Sequence, residues 1–202
     1  MRKTCSLSWL WRLWPMTALL LPLLACASSA NAPLSAAERD GLVFTREEEK
    51  LARDVYSALQ RHDPSFVNVG ASEQNHMDAI ETLLDRYDVA DPAEGRAVGE
   101  LTNPKLKGLH DALVASGSRS REAALAVGVE IEELDIVDIE TARQAVTHTD
   151  ILTTYDNLTR GSRNHLRTFH GKLVAAGGSY TPKHLDAAAF RAIVESGTER
   201  GP

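Results

Sequence analysis

The sequence predicts an all-α protein: a four-helix bundle with one long crossover carrying a short helix, then a short C-terminal helix. Three observations predict it. Residues 45–176 contain four long stretches whose apolar residues recur at helical spacing. No run alternates apolar and polar residues as a half-buried strand does. The second and third stretches are separated by a Gly- and charge-rich connection that holds a short capped helix of its own, as a bundle with one long connection requires.

The elements follow in order. Helix one is expected from Thr45, with Glu48 completing a capping box, to about Arg61; Phe44, Leu51, Ala52, Val55, Tyr56 and Leu59 form its apolar face. The acidic run at its start reads as dipole compensation for Glu47. A break at His62-Asp63-Pro64-Ser65 leads to helix two, roughly Ala71 to Tyr87, with Ser72 as its expected N-cap. After the loop from Asp91-Pro92 to Thr102, Asn103-Pro104 supplies an N-cap and an N1 proline for a short helix ending near Ser116-Gly117. Helix three is expected from Ser120 to about Ala142, and helix four from Asp150 to Ala176, where Gly177-Gly178 stops it. Thr181-Pro182 is expected to cap the last short helix, which carries Leu185, Phe190 and Ile193.

The first residues belong to a different class of segment. Arg2 and Lys3 precede an apolar run ending in Leu20-Leu21-Pro22-Leu23-Leu24-Ala25-Cys26, which reads as a signal peptide over 1–25 and is too short and Pro-interrupted for a membrane span. Leu23-Leu24-Ala25-Cys26 resembles a bacterial lipobox with Cys26 as the lipidated residue; the competing reading is ordinary cleavage between Ala25 and Ala32. Either way an exported chain is expected, membrane-anchored or periplasmic, with a tether over 26–41, a domain over 42–195 and a disordered tail over 196–202. Cys5 and Cys26 are the only cysteines, so the domain has no disulfide and no thiolate ligand, which removes zinc-ribbon and iron–sulfur readings. Loss of Arg2, Lys3 and Arg12, the only charged residues of 1–25, takes the formal net charge from −6 to −9. No basic stripe remains, so nucleic acid is not an expected partner.

Chemistry centres on Glu73-Gln74-Asn75-His76. Positions three apart share a helix face, and Ile80, Leu83, Leu84 and Tyr87 continue that face, so Glu73 and His76 are aimed at the interior. A buried carboxylate is costly unless paired or metal-bound. The plainer reading makes Glu73 a first-turn acid and His76 a satisfied core histidine. On helix one, phase places Glu48 nearer the centre of the apolar arc and Glu49 at its edge beside Tyr56. On helix three, Glu132 and Asp135 fall inside the arc, while Glu130, Glu133 and Glu140 lie at or beyond its edges. On helix four, Ser162 and His165 sit in a polar stretch of the core face, and His165 is either a ligand or a histidine bonded to a carboxylate across the bundle.

With these residues in view, Glu49-Lys50-Leu51-Ala52-Arg53-Asp54-Val55-Tyr56 resembles the first-helix motif of rubrerythrins and ferritins. With Glu73-Gln74-Asn75-His76 it resembles half of a ferritin-like di-iron site. The longer signatures at 48–56, 72–79, 131–139 and 161–169 resemble a ferritin-like family known as domain of unknown function 2202, over nearly all of 42–195. The resemblance implies Glu49 rather than Glu48 as the first ligand, then Glu73, His76, Glu132 and His165. Ser162 stands where the pattern has a second Glu, so either Asp135 supplies that carboxylate or the second metal is weak or absent. Tyr56 and Tyr155 become neighbours of the centre rather than ligands. The implied cofactor is iron, or manganese, as one or two ions per chain, with oxygen or peroxide as reactant and a homodimer as an assembly. Three functions follow: a ferroxidase or peroxidase-type oxidoreductase, a non-catalytic metal-binding or sensing bundle, and a structural bundle whose polar core is mutually satisfied. No rubredoxin-like Cys module is present for electron delivery.

Overall fold

The computed structural model describes residues 33–201, within which there are six helices and no strand. They are α1 (Ala36–Leu59), α2 (Ser65–Arg86), α3 (Pro104–Gly117), α4 (Arg121–Arg143), α5 (Thr149–Ala175) and α6 (Ala187–Val194). The expected signal peptide and Cys26 lie outside the described residues. Helices α1, α2, α4 and α5 form the bundle; α3 packs on α1 and α4, and α6 on α5. Among the described residues no helix is long and apolar enough to cross a membrane.

Helix α1 begins nine residues before the expected Thr45. Ser35 is its N-cap: Ser35 Oγ accepts from the Glu38 amide at 3.2 Å, and the Ser35 amide donates to Glu38 Oε2 at 2.9 Å. Residues 36–41 of the expected tether are therefore helical, and Thr45 is buried within the helix. Glu38 is also buried. Its Oε1 accepts from the Thr147 amide at 2.8 Å and stands 2.8 Å from His148 Nδ1, which fastens the start of α1 to the start of α5. Helix α2 also starts early, at Ser65 directly after its N-cap Pro64, where the Ser65 amide donates to Asp63 Oδ1 at 2.9 Å. Ser72 is consequently an interior residue, not the N-cap. The cap expected at Asn103-Pro104 is present, and Ser120, where helix three is expected to start, is the N-cap of α4. Helix α6 is capped by Asp186 rather than by Thr181-Pro182. The tail is docked as far as Glu199, whose carboxylate pairs with Arg163 at 2.5 Å and Arg167 at 2.6 Å.

Between α2 and α3 the crossover is held by the charged run of α1. Arg46 makes a two-pronged contact with Asp91 at 3.0 and 2.7 Å and donates to the Met77 carbonyl. Buried Lys50 donates to Asp54 Oδ2 at 2.5 Å and to the Ala97 carbonyl at 2.7 Å, and the Gly99 amide donates to the same Asp54 oxygen. Glu47 accepts from the amides of Thr102 and Asn103. Its role is to satisfy the backbone entering α3, not to compensate a first-turn dipole. Glu133, expected outside the apolar arc, is buried and accepts from Tyr180 Oη at 2.5 Å and from the Lys183 and Leu185 amides.

The core has two apolar layers. One includes Leu51, Val55, Tyr56, Phe66, Leu125, Ile131, Leu166 and Phe169; the other includes Leu42, Ile80, Leu84, Ile139, Ile151, Tyr155 and Leu158. Along α1 and α5 the chain runs from the second layer to the first, and along α2 and α4 from the first to the second. Helices α2 and α4 therefore run the same way, and the crossover is the connection that permits it. At Gly128 a Cβ would stand 2.6 Å from the Phe169 ring, so α4 and α5 approach closely only because that position is glycine.

Candidate metal centre

Polar residues interrupt the interior where the two apolar layers meet. Each bundle helix contributes at that level: Glu49 from α1, Glu73 and His76 from α2, Glu132 and Asp135 from α4, and His165 from α5. The four carboxylates are each 1% exposed or less. Helical periodicity explains the convergence, because Glu73 and His76, like Glu132 and Asp135, are one turn apart on an inward face.

Two groups of potential ligands form around Glu73. In one, Glu49, Glu73 and His76 bring ligating atoms within 4.8 Å of one another; in the other, Glu73, Glu132 and His165 do the same. His76 Nδ1 lies 2.7 Å from Glu73 Oε2 and 3.2 Å from Glu49 Oε2. His165 Nδ1 lies 2.9 Å from Glu73 Oε1 and 3.5 Å from Glu132 Oε2. The two imidazoles are stacked with centroids 5.6 Å apart. Glu73 thus offers one oxygen to each side. Gly161 makes room for this, since a Cβ there would stand 2.6 Å from His76 Nε2.

Several of these atoms have no hydrogen-bond partner although they are buried: Glu49 Oε1, both oxygens of Glu73, Glu132 Oε2, both oxygens of Asp135, and His165 Nδ1. Such atoms are normally paired, and each orphan costs about 1–3 kcal/mol or more when charged. The imidazole nitrogens approach Glu73 to less than 3 Å, yet the Glu73 oxygens form no aligned hydrogen bond. Donor atoms that converge in this way, with only His76 Nδ1 and Glu49 Oε2 hydrogen-bonded among them, suit a shared cation, which would satisfy the rest. Oxygen and nitrogen donors without sulfur suit iron or manganese.

Electrostatics support the same arrangement. Burial pushes the Glu49 carboxyl up to about 7, against the nearby His76, and pushes Glu132 up to about 7, against His165. Burial also raises Glu73, but the His165 and His76 imidazoles outweigh it and hold Glu73 below the usual carboxylate range. Burial and the surrounding carboxylates Glu49, Glu48, Glu132 and Glu73 raise Asp135 well above its ordinary value. Burial works to lower His165, but Glu73 and Glu132 prevail and raise it to about 10. The four ionised carboxylates would carry four negative charges, which two divalent cations beside neutral imidazoles would balance.

The remaining candidates fall outside the two groups. Glu48 is buried beside Asp138, which raises its pKa together with burial; it belongs to neither group. Asp135 is coupled to the cluster through charge and supplies unpartnered oxygens at its edge. Ser162 donates to its own helix, at the Leu158 carbonyl 3.2 Å away, so α5 contributes His165 alone. Tyr56 Oη donates to Glu132 Oε1 at 2.5 Å and is a direct neighbour of the centre. Tyr155 is not: it belongs to the second apolar layer and its hydroxyl faces α1 at Gly41 and Thr45. Two contacts escape sequence reasoning, Asp138 with Glu48 and Ser72 Oγ with His165 Nε2 at 3.0 Å. Ser72 precedes Glu73 and so lies a helical step off its face, a signal obscured when it is read as an N-cap.

The same residues place the chain among its relatives. The uncharacterized protein MJ0754 of Methanocaldococcus jannaschii is 42% identical over 177 residues, which is 87% of this chain and 96% of that protein. The crystal structure of hypothetical protein MJ0754 from Methanococcus jannaschii DSM 2661 has a TM-score of 0.80 at 43% identity, covering 83% of this chain and 97% of that one. A family model described as an uncharacterized protein domain, DUF2202, matches residues 38–197, from Glu38 at the start of α1 to just beyond α6. Since that match contains α2, α4, α5, all but the first two residues of α1, and every residue of the polar layer, the chain belongs to the DUF2202 family.

Proposed function

We propose that this protein is a ferritin-like dinuclear carboxylate protein that holds two iron or manganese ions and acts as a ferroxidase or peroxidase-type oxidoreductase. The observation that carries the reading is the set of buried, unpartnered carboxylate oxygens around Glu73. Glu49, Glu73 and His76 would hold one ion, and Glu73, Glu132 and His165 the other, with Asp135 in place of the carboxylate that Ser162 does not supply. Bound iron or manganese would supply one-electron redox chemistry with oxygen or peroxide. The chain's own residues do the rest. Burial between two apolar layers limits water, Tyr56 orients Glu132 through its hydroxyl, and Ser72 fixes the His165 ring by its far nitrogen. The sequence of residues 1–26 supports export, with Cys26 as a lipid anchor or removed with the signal.

A second reading is a metal-binding or sensing bundle without turnover. It is favoured by α5, where Ser162 bonds its own helix and leaves His165 as the one candidate ligand from that helix. Anaerobic loading with Fe(II), followed by addition of peroxide or oxygen, separates the two. Catalytic consumption over many cycles with a supplied reductant supports the oxidoreductase. Stoichiometric binding with no consumption above that of free Fe(II) supports the binder.

A further inference from the structure

His165 belongs both to the proposed centre and to the wall of a surface hollow. The hollow has a volume of about 370 Å³ and lies between the start of α2 and the second half of α5, with Ser65, Asn68, His165, Thr168 and Lys172 among its walls. The His165 ring separates it from the buried carboxylates, with Nδ1 2.9 Å from Glu73 and Nε2 3.0 Å from Ser72. Two other hollows, at Glu140–Leu152 and along Ser116–Glu130 beside Tyr180, share no residue with either ligand group.

Charge at the mouth and charge at the centre have opposite signs. Lys172 Nζ lies 2.9 Å from Asp63 Oδ1, and Arg121 pairs with the same carboxylate at 2.6 Å, so two cations share one anion. The centre, by contrast, is built from carboxylates. A net positive mouth opposes a divalent cation and favours a neutral or anionic molecule. Its volume exceeds that of several water molecules at about 30 Å³ each. We propose that this hollow is the port by which a small neutral or anionic reagent, of the size of peroxide or azide, reaches the metal beside His165, and that the metal ion enters elsewhere. The proposal rests on the dinuclear reading above.

Azide is the probe. The chain is loaded with Fe(II), oxidised, and its iron content measured; azide association is then followed by stopped-flow absorbance. Asn68→Trp and Thr168→Trp fill the hollow from exposed positions that hold no metal. Both are expected to slow azide association at least about tenfold while iron content and iron uptake rate stay at wild-type levels. Lys172→Glu is expected to slow azide about tenfold and to leave association of neutral nitric oxide with the Fe(II) form nearly unchanged. Unchanged azide rates in both tryptophan variants overturn the port. Slowed iron uptake with unchanged azide rates also overturns it, by making the hollow the metal's own path. A wild-type chain that takes up no iron overturns the dinuclear reading itself, and the iron measurement reports this before azide is added.

Discussion

Glu73 stands at the junction of both ligand groups, with one oxygen toward His76 and the other toward His165. Glu73→Ala is therefore expected to abolish both ions, whereas Gly161→Ala, which presses on the His76 ring, should remove only the ion beside Glu49; metal analysis of the two variants checks this. Protons compete with metal at the same oxygens. In the metal-free chain Glu49 and Glu132 are raised to about 7, so their contribution to stability is full below their unfolded value of 4.5 and is lost as pH rises through about 7. Metal reverses the preference by favouring the ionised form. The gain in melting temperature on Fe(II) or Mn(II) addition should be large at pH 8 and small at pH 5.5; equal gains at both would contradict the assignment. Tyr56→Phe leaves Glu132 Oε1 without its donor and should cost the metal-free protein about 1–2 kcal/mol, read by urea denaturation. Adjacent residues on a helix lie about 100° apart, so phase favours Glu48, nearer the centre of the apolar arc, over Glu49 at its edge, whereas it is Glu49 whose oxygen converges with Glu73 and His76. Both are in fact buried, one toward Asp138 and the other toward His76, and only the neighbouring helices distinguish them.

The helices were most legible where their signals are local. Asn103-Pro104 and Ser120 act within three residues of themselves; the Asn103 cap and the helix start near Ser120 are where the residues predict them. The start of α1 was hidden because Ala36, Ala37, Gly41 and their polar neighbours have the composition of a tether; what makes them helical is the Ser35–Glu38 box and a tie to Thr147 and His148 more than a hundred residues away. Glu47 and Glu133 were opaque for the same reason, since their partners are loop amides remote in sequence. The crossover depends on one buried ion pair in particular. Arg46→Ala strands Asp91 and the Met77 carbonyl and should cost about 3 kcal/mol, with the 88–103 segment becoming the first site of limited proteolysis. Helix approach offers another check. Gly128→Ala forces the Phe169 ring to move and should destabilise the fold by about 1–3 kcal/mol in thermal or chemical unfolding.

At the scale of the molecule, two apolar layers hold a polar layer between them, and that polar layer is incomplete as a hydrogen-bond network. Sequence periodicity was enough to place its members on inward faces, because each lies one helical turn from apolar residues on the same stripe. It was not enough to show that most of their oxygens converge without a hydrogen-bond partner, which depends on how four helices are rotated about their axes. The orphaned atoms favour the proposed metal centre over a polar core that satisfies itself. The most direct test is the metal content of the purified chain after anaerobic Fe(II) or Mn(II) loading and removal of free ion, measured beside Glu73→Ala and His165→Ala. The account predicts about two ions per chain, none with Glu73→Ala and a reduced count with His165→Ala. No retained metal in the wild-type chain, with no change in its melting temperature on loading, would contradict it and leave the polar layer as part of a structural bundle.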